Sequence, residues 1–200
     1  QTCALPDLLW ALGYADQSLA RIQEALALAE KLSHPFTLAF ASGLASVLHY
    51  YRRDAVAAQK RAEATILLAA EKGFPFWLAI AKNVRGWALI QQGQRKGLDE
   101  LQEGLSILRM SGALQPIPTS LTYSVNVFMP MGSADEAWKA LSEAFDGLDK
   151  DFGEPELYRL KGKLLLVRGG QNEAEAESCF QHAIEIARRR QAKSWELRAV

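Results

Sequence analysis

A small residue returns almost every forty positions along this chain. Ala25, Ala64, Gly104, Ala144 and Ala183 are separated by 39, 40, 40 and 39 residues. Seven positions before each stands a second small residue: Ser18, Ala57, Gly97, Ala137 and Ala176. Three positions before comes a bulky apolar residue in four of the five stretches (Ile22, Leu101, Leu141, Phe180), with Arg61 breaking the pattern. A period of this length demands stacked helical units, each packed on its neighbours, rather than one central core. The expected fold is all-α: a right-handed superhelical α-solenoid of antiparallel helix pairs, one array over residues 1–200.

The marked segments read as the second helix of each pair, near 15–32, 54–72, 94–110, 133–149 and 172–191. In the first of them Leu19, Ile22, Leu26 and Ala29 recur at helical spacing and form one buried stripe. Small side chains seven apart share a helix face and let a partner helix approach closely. The first helices open on proline: Pro35-Phe36-Thr37-Leu38-Ala39 and Pro75-Phe76-Trp77-Leu78-Ala79 match across 40 residues, and Pro155 repeats the device. Proline belongs in a first turn, where its missing N–H would have no partner anyway. These helices are expected near 7–13, 35–52, 75–92, 118–129, 155–168 and 194–200. Gly73, Gly93, Gly132, Gly153 and Gly169-Gly170 fall between helices, where left-handed caps are expected. The unit at 116–131 is the weakest, being rich in β-branched and short polar residues, with Pro130 at or past its end. The first and last segments read as parts of helices, so the chain is expected to be an excerpt of a longer protein.

Charge and cysteine use narrow the function classes. Lys plus Arg is 23 and Asp plus Glu is 23, a net charge of zero. Phosphate-backbone binding needs a basic stripe, so nucleic acid is not an expected partner. The densest basic run, Arg188-Arg189-Arg190, is explained by a helix carboxy terminus, where cations are favoured by ~0.3–1 kcal/mol each. No apolar run approaches the ~20 residues that span a bilayer, and the opening QTCALPDLLW has neither the basic region nor the long apolar stretch expected of a signal peptide. With two isolated cysteines, Cys3 and Cys179, the expected compartment is the cytoplasm, without membrane contact.

The small, bulky, small spacing resembles the second helix of a tetratricopeptide repeat, with Ser46, Gly86, Gly162 and either Ser124 or Asn126 at that family's small first-helix position. The repeat here is longer than the family's ~34 residues. Longer repeats of this kind are similar to the sensor arrays of maltose-type transcription activators. Leu32-Ser33-His34-Pro35-Phe36, Arg85-Gly86-Trp87-Ala88-Leu89, Glu156-Leu157-Tyr158-Arg159-Leu160-Lys161-Gly162 and Ala192-Lys193-Ser194-Trp195-Glu196-Leu197-Arg198 resemble the carboxy-terminal array of bacterial adenylate/guanylate cyclase–ATPase signalling proteins. That resemblance implies an accessory or sensory role and places no catalytic residue here.

No catalytic or cofactor motif stands out. Gly162-Lys163 lacks the upstream glycine and following hydroxyl of a phosphate loop. His34, His49 and His182 have no ligand partners at metal spacing, so neither a metal nor another cofactor is expected. Glu24, Glu63, Glu103 and Glu143 recur at one place in the repeat, which suits a solvated or inter-repeat role. The five tryptophans are read mostly as packing residues. If the small first-helix positions are assigned correctly, Tyr50, Asn83, Trp87, Arg159 and Lys163 face the groove. The leading expectation is a non-enzymatic scaffold that binds a protein or peptide segment, or another domain of the same parent chain. A small-molecule sensor is the first alternative. The second is self-association through the repeat ends, with Trp195 and Leu197 exposed on the last turns.

Overall fold

The computed structural model describes residues 5–113, 117–147, 153–169 and 172–200. Among them are eleven α-helices and no strand: α1 (Leu5–Ala11), α2 (Ala15–Leu32), α3 (Pro35–Tyr51), α4 (Ala55–Lys72), α5 (Pro75–Gln91), α6 (Gly97–Ser111), α7 (Ile117–Phe128), α8 (Ala134–Asp146), α9 (Glu154–Arg168), α10 (Glu173–Arg189) and α11 (Lys193–Ala199). Each expected helix is present. Cys3, Pro116, Gly170 and the last residues of the segment expected at 133–149 lie outside the described residues.

The helices form two compact units. The first holds most of α1 with α2–α6; there each of α2 to α5 packs on its successor, and α3 also touches α5. The second holds α7–α11 with the same rule: successive helices pack, and α9 touches both α7 and α11. Within each unit, odd-numbered helices therefore meet one another, while even-numbered helices meet only their odd neighbours. This is the packing of stacked helical hairpins.

Local chemistry sets the helix ends. Pro35 and Pro75 begin α3 and α5. The His34 ring accepts a hydrogen bond from the Thr37 N–H at 3.3 Å, and Asp54 accepts one from the Ala57 N–H at 3.0 Å, each covering an amide that the first turn leaves open. Gly73 and Gly169 have φ of 71° and 67°, the left-handed region that a side chain disfavours. Gly153 departs from the expected left-handed cap: its φ is −81°, because it leads into α9 rather than ending a helix. The weak unit is helical after all. Ser120, Leu121, Tyr123, Ser124, Val125 and Val127 are buried in α7, and tertiary burial outweighs their poor helix propensity. Thr122 and Asn126 turn their side chains back to the carbonyls of Thr119 and Thr122, at 2.6 and 2.8 Å.

The repeating marks are where the helices nest, with one correction. Ala25, Gly104, Ala144 and Ala183 are buried, as are Ser18, Gly97, Ala137 and Ala176 seven residues earlier. Ala64 is exposed and Ala57 only half-buried; the buried set in α4 is Ala58, Ala62, Thr65 and Ala69. The register of the second repeat is thus one residue later than its alanines suggested. Arg61 explains the slip. It stands at the bulky apolar position in the misread register, whereas in the true one Ala62 takes that place and Arg61 stays half-buried. Thr65 keeps its hydroxyl satisfied, 2.9 Å from both Ser42 Oγ and the Arg61 carbonyl oxygen.

Helix backbones come very close between α5 and α6. A Cβ on Gly97 would run into the Gly86 carbonyl oxygen, and one on Gly86 would lie 2.7 Å from the Gly97 carbonyl oxygen. A Cβ on Gly104 would meet Asn83 Oδ1 at 2.7 Å and the Ala79 carbonyl at 2.9 Å. Each of the three would meet a main-chain oxygen within 3 Å, an atom that cannot swing aside. Four tryptophans (Trp10, Trp77, Trp87, Trp195) are buried packing residues. Trp195 is therefore not on an exposed last turn as expected, whereas Leu197 is 76% exposed.

At the amino-terminal end, Ser18 donates to the Pro6 carbonyl at 2.6 Å and Trp10 stacks on Tyr51 at 4.6 Å, holding α1 to α2 and α3. Asp7 is half-buried, with its Oδ1 enclosed and lacking a hydrogen-bond partner among the described residues. Desolvation pushes its carboxyl up to about 7.

This packing can be tested at single positions. Gly97→Ala should destabilise the fold by roughly 1–3 kcal/mol or more through overpacking, whereas Ala64→Leu should change it by less than about 0.5 kcal/mol and Thr65→Leu should cost as much as Gly97→Ala. Urea melts of the three variants distinguish the two registers. The raised carboxyl of Asp7 means that the fold prefers it protonated: its contribution is full below the unfolded value near 4 and is lost as pH rises through about 7. Asp7→Asn should therefore melt higher than the native chain at about pH 8 and close to it at about pH 4.

Candidate functional site

The expected groove residues do not form an open surface. Tyr50 on α3 and Trp87 on α5 are each 1% exposed and meet edge to face at 4.9 Å, with the Arg53 guanidinium 5.2 Å from the Tyr50 ring. Asn83 is fully enclosed against Gly104, and neither amide atom has a hydrogen-bond partner among the described residues. Arg159 on α9 is buried in a two-pronged ion pair, its Nε and Nη2 each donating to Glu156 at 2.7 Å, while Arg198 Nη1 on α11 lies 3.8 Å from the same carboxylate. Lys163 alone of the five is exposed.

The correction has a geometric cause. Gly86 and Gly162 sit where an odd helix presses on an even one, and residues three or four away share that helix face. Asn83 and Arg159, three positions earlier, are carried inward with it. Tyr50 stands four positions after Ser46, a fully buried residue whose hydroxyl donates to the Gly43 carbonyl at 2.6 Å. Burial of Arg159 is tolerable because the fork of its guanidinium matches the Glu156 carboxylate.

A different set of side chains lines the open space of the second unit. Even helices α8 and α10 both pack on α9, which forms the floor between them. One cavity, about 280 Å³, is walled by Trp138, Leu141 and Phe145 of α8 and floored by Tyr158 and Lys161 of α9, with Asp146 also in its lining. A second, about 470 Å³, shares Tyr158 and Lys161 and continues along Glu175, Cys179, His182 and Glu185 of α10. Together they make one cleft with an apolar arm and a polar arm. The Tyr158 ring is the divide: it packs edge to face on Phe145 at 5.1 Å and on His182 at 4.3 Å.

The electrostatics of the polar arm are simple. Lys161 Nζ lies 3.0 Å from Glu175, and that hydrogen bond holds the amine above its ordinary value although burial opposes it. His182 Nδ1 is 3.9 Å from Glu185. Burial pushes the Cys179 thiol up, against the pull of Lys161, so it stays protonated and a poor nucleophile.

The first unit handles the same place in its repeat differently. Gly86 meets Gly97 and Leu101 as Gly162 meets Ala176 and Phe180, so Lys82 and Arg85 stand where Tyr158 and Lys161 stand on α9. There Lys82 bonds Glu103 at 2.8 Å and lies 3.5 Å from Glu100, which also pairs with Arg85. Ion pairs join α5 to α6 where α9 instead carries an aromatic ring beside an open cleft. Sequence reasoning missed Tyr158, Phe145 and Trp138 because they look like ordinary packing aromatics. The available signal was the exchange of Lys82 for a tyrosine at an otherwise repeated position.

Stacked hairpins in which odd helices layer on one another define a tetratricopeptide-like helical repeat fold. The chain is similar to TTC0263, a thermophilic TPR protein in Thermus thermophilus, with 22% identity and a TM-score of 0.60 over 96% of each chain. It is also similar to BtubC (BKLC) from P. vanneervenii, with 18% identity and a TM-score of 0.64 over 94% of this chain and 79% of that one. At such identities the likeness establishes the fold alone. No protein-family model and no curated protein matches the sequence. Among the described residues no helix is long and apolar enough to cross a membrane.

The buried pair gives a sharp stability test. Removing one partner of a buried ion pair strands the other charge, so Glu156→Gln and Arg159→Met should each cost about 3–5 kcal/mol, whereas the double variant Glu156→Leu/Arg159→Met should recover much of that loss. A double-variant loss equal to the sum of the two single losses in chemical denaturation would show that the pair is not coupled.

Proposed function

We propose that this chain is a non-catalytic scaffold that holds a peptide segment of a partner protein in the α8–α9–α10 cleft. The observation that carries this reading is the pair of contiguous cavities, one walled by aromatic and aliphatic side chains and one by polar groups, built on three packed helices. Rigid elements position the walls, and Tyr158 offers a large contact surface that loses little conformational freedom on binding. Lys163, exposed on α9, is not among the residues lining either cavity. Attachment to cyclase and ATPase domains is the finer reading, and it rests on the sequence phrases at 32–36, 85–89, 156–162 and 192–198. It predicts that the parent reading frame encodes those domains upstream.

A small-molecule sensor is the second reading, favoured by cavity volumes close to those that take compact ligands. Peptide selection by display, followed by fluorescence anisotropy on the selected sequences, separates the two. Tyr158→Ala should weaken selected peptides by about tenfold or more, as loss of a central aromatic does. Failure to select any peptide, or unchanged binding by a folded Tyr158→Ala variant, overturns the peptide reading. Displacement of a selected peptide by a metabolite that also raises the melting temperature would favour the sensor.

A further inference from the structure

The charges around the cleft specify what kind of segment fits it. Asp146 lines the apolar arm, and Glu175 and Glu185 line the polar arm. Against them stand Lys161, already bonded to Glu175, the His182 ring beside Glu185, and the Arg168 guanidinium, 4.9 Å over the Trp138 ring and paired with Asp135. Once Lys161–Glu175 and Arg168–Asp135 cancel, two carboxylates remain, Asp146 in the lining of one cavity and Glu185, beside His182, in the lining of the other. The apolar arm adds Trp138, Leu141, Phe145 and Tyr158. We propose that the cleft recognises a basic segment: one aromatic or aliphatic anchor side chain in the α8–α9 cavity, flanked by Lys or Arg residues that face Asp146 and Glu185. This rests on the cleft being a peptide site and adds the chemistry of the peptide.

The size of the apolar arm supports a single anchor. Its ~280 Å³ lies at the low end for ligand pockets, below what two adjacent large side chains need. The first unit supports the specialisation. At the matching position on α5, Lys82 and Arg85 are paired with the facing acids Glu100 and Glu103. On α9 the replacement of one cation by Tyr158 exposes a ring for an anchor and removes a positive charge from the floor. A cation on the ligand supplies what the floor lacks, and acidic segments are disfavoured by the same carboxylates.

The test uses the full chain with display libraries of decapeptides that carry one Phe or Leu and are randomised elsewhere. Selection should enrich Lys and Arg within about three residues of the anchor, and affinity should fall as salt rises, as for a charge-complementary rim. Asp146→Lys/Glu185→Lys, at exposed positions, should keep the native melting temperature and shift selection toward Asp and Glu flanks. Enrichment of neutral or acidic flanks by the native chain overturns the inference while leaving the peptide site standing. So does an unchanged preference in the charge-reversed variant. Recovery of no peptides by either chain overturns both the inference and the reading beneath it.

Discussion

The fold depends on how closely helix backbones can approach. At Gly86 and Gly97 two main chains lie so near that neither position admits a methyl group, and Gly104 meets Asn83 and the Ala79 carbonyl in the same interface. Close approach brings many weak dispersion contacts into range at once, and those contacts fall steeply with distance. Every other property of the unit follows from this spacing. It sets which residues on the odd helices are swallowed, how far apart the even helices stand, and what space is left between them.

The same constraint accounts for the polar groups inside. A helix face that must hold small residues often holds serine, threonine or asparagine, and each brings hydrogen-bonding atoms into a dry interface. Ser46 and Thr65 satisfy theirs with nearby carbonyls and hydroxyls. Arg159 is matched by Glu156 within its own helix, one turn away. Asn83 is the exception, enclosed with its amide unpartnered among the described residues, because Gly104 and the main chain around it leave no room for anything beside it. Packing has taken precedence over polar satisfaction at that point.

Functional potential arises where the repeat is varied rather than where it is kept. The small residues are repeated because a helix crossing tolerates nothing else. Positions on the outer flank of the same odd helix carry no such requirement. On α5 the flank is Lys82 and Arg85 in an ion network with α6; on α9 it is Tyr158 and Lys161 over a cleft. A ring in place of a cation turns a half-buried ion network into a surface that gains from being covered.

The linear order of residues determined much of this protein. Proline at helix starts, glycine after helix ends and small residues at intervals of seven placed the eleven described helices, because those preferences act over one or two turns of chain. Even the β-branched segment at α7 was legible, since the period ran through it. What tertiary structure alone decided was the direction each side chain faces. Ala64 and Thr65 are neighbours in sequence, and only the partner helix chose between them, rejecting the register that would bury Arg61. Tyr50, Asn83, Trp87 and Arg159 were within one turn of the packing positions, close enough to be carried inside, which spacing along one helix cannot reveal. The cleft over Tyr158 is made by three helices at once, so no local pattern contains it.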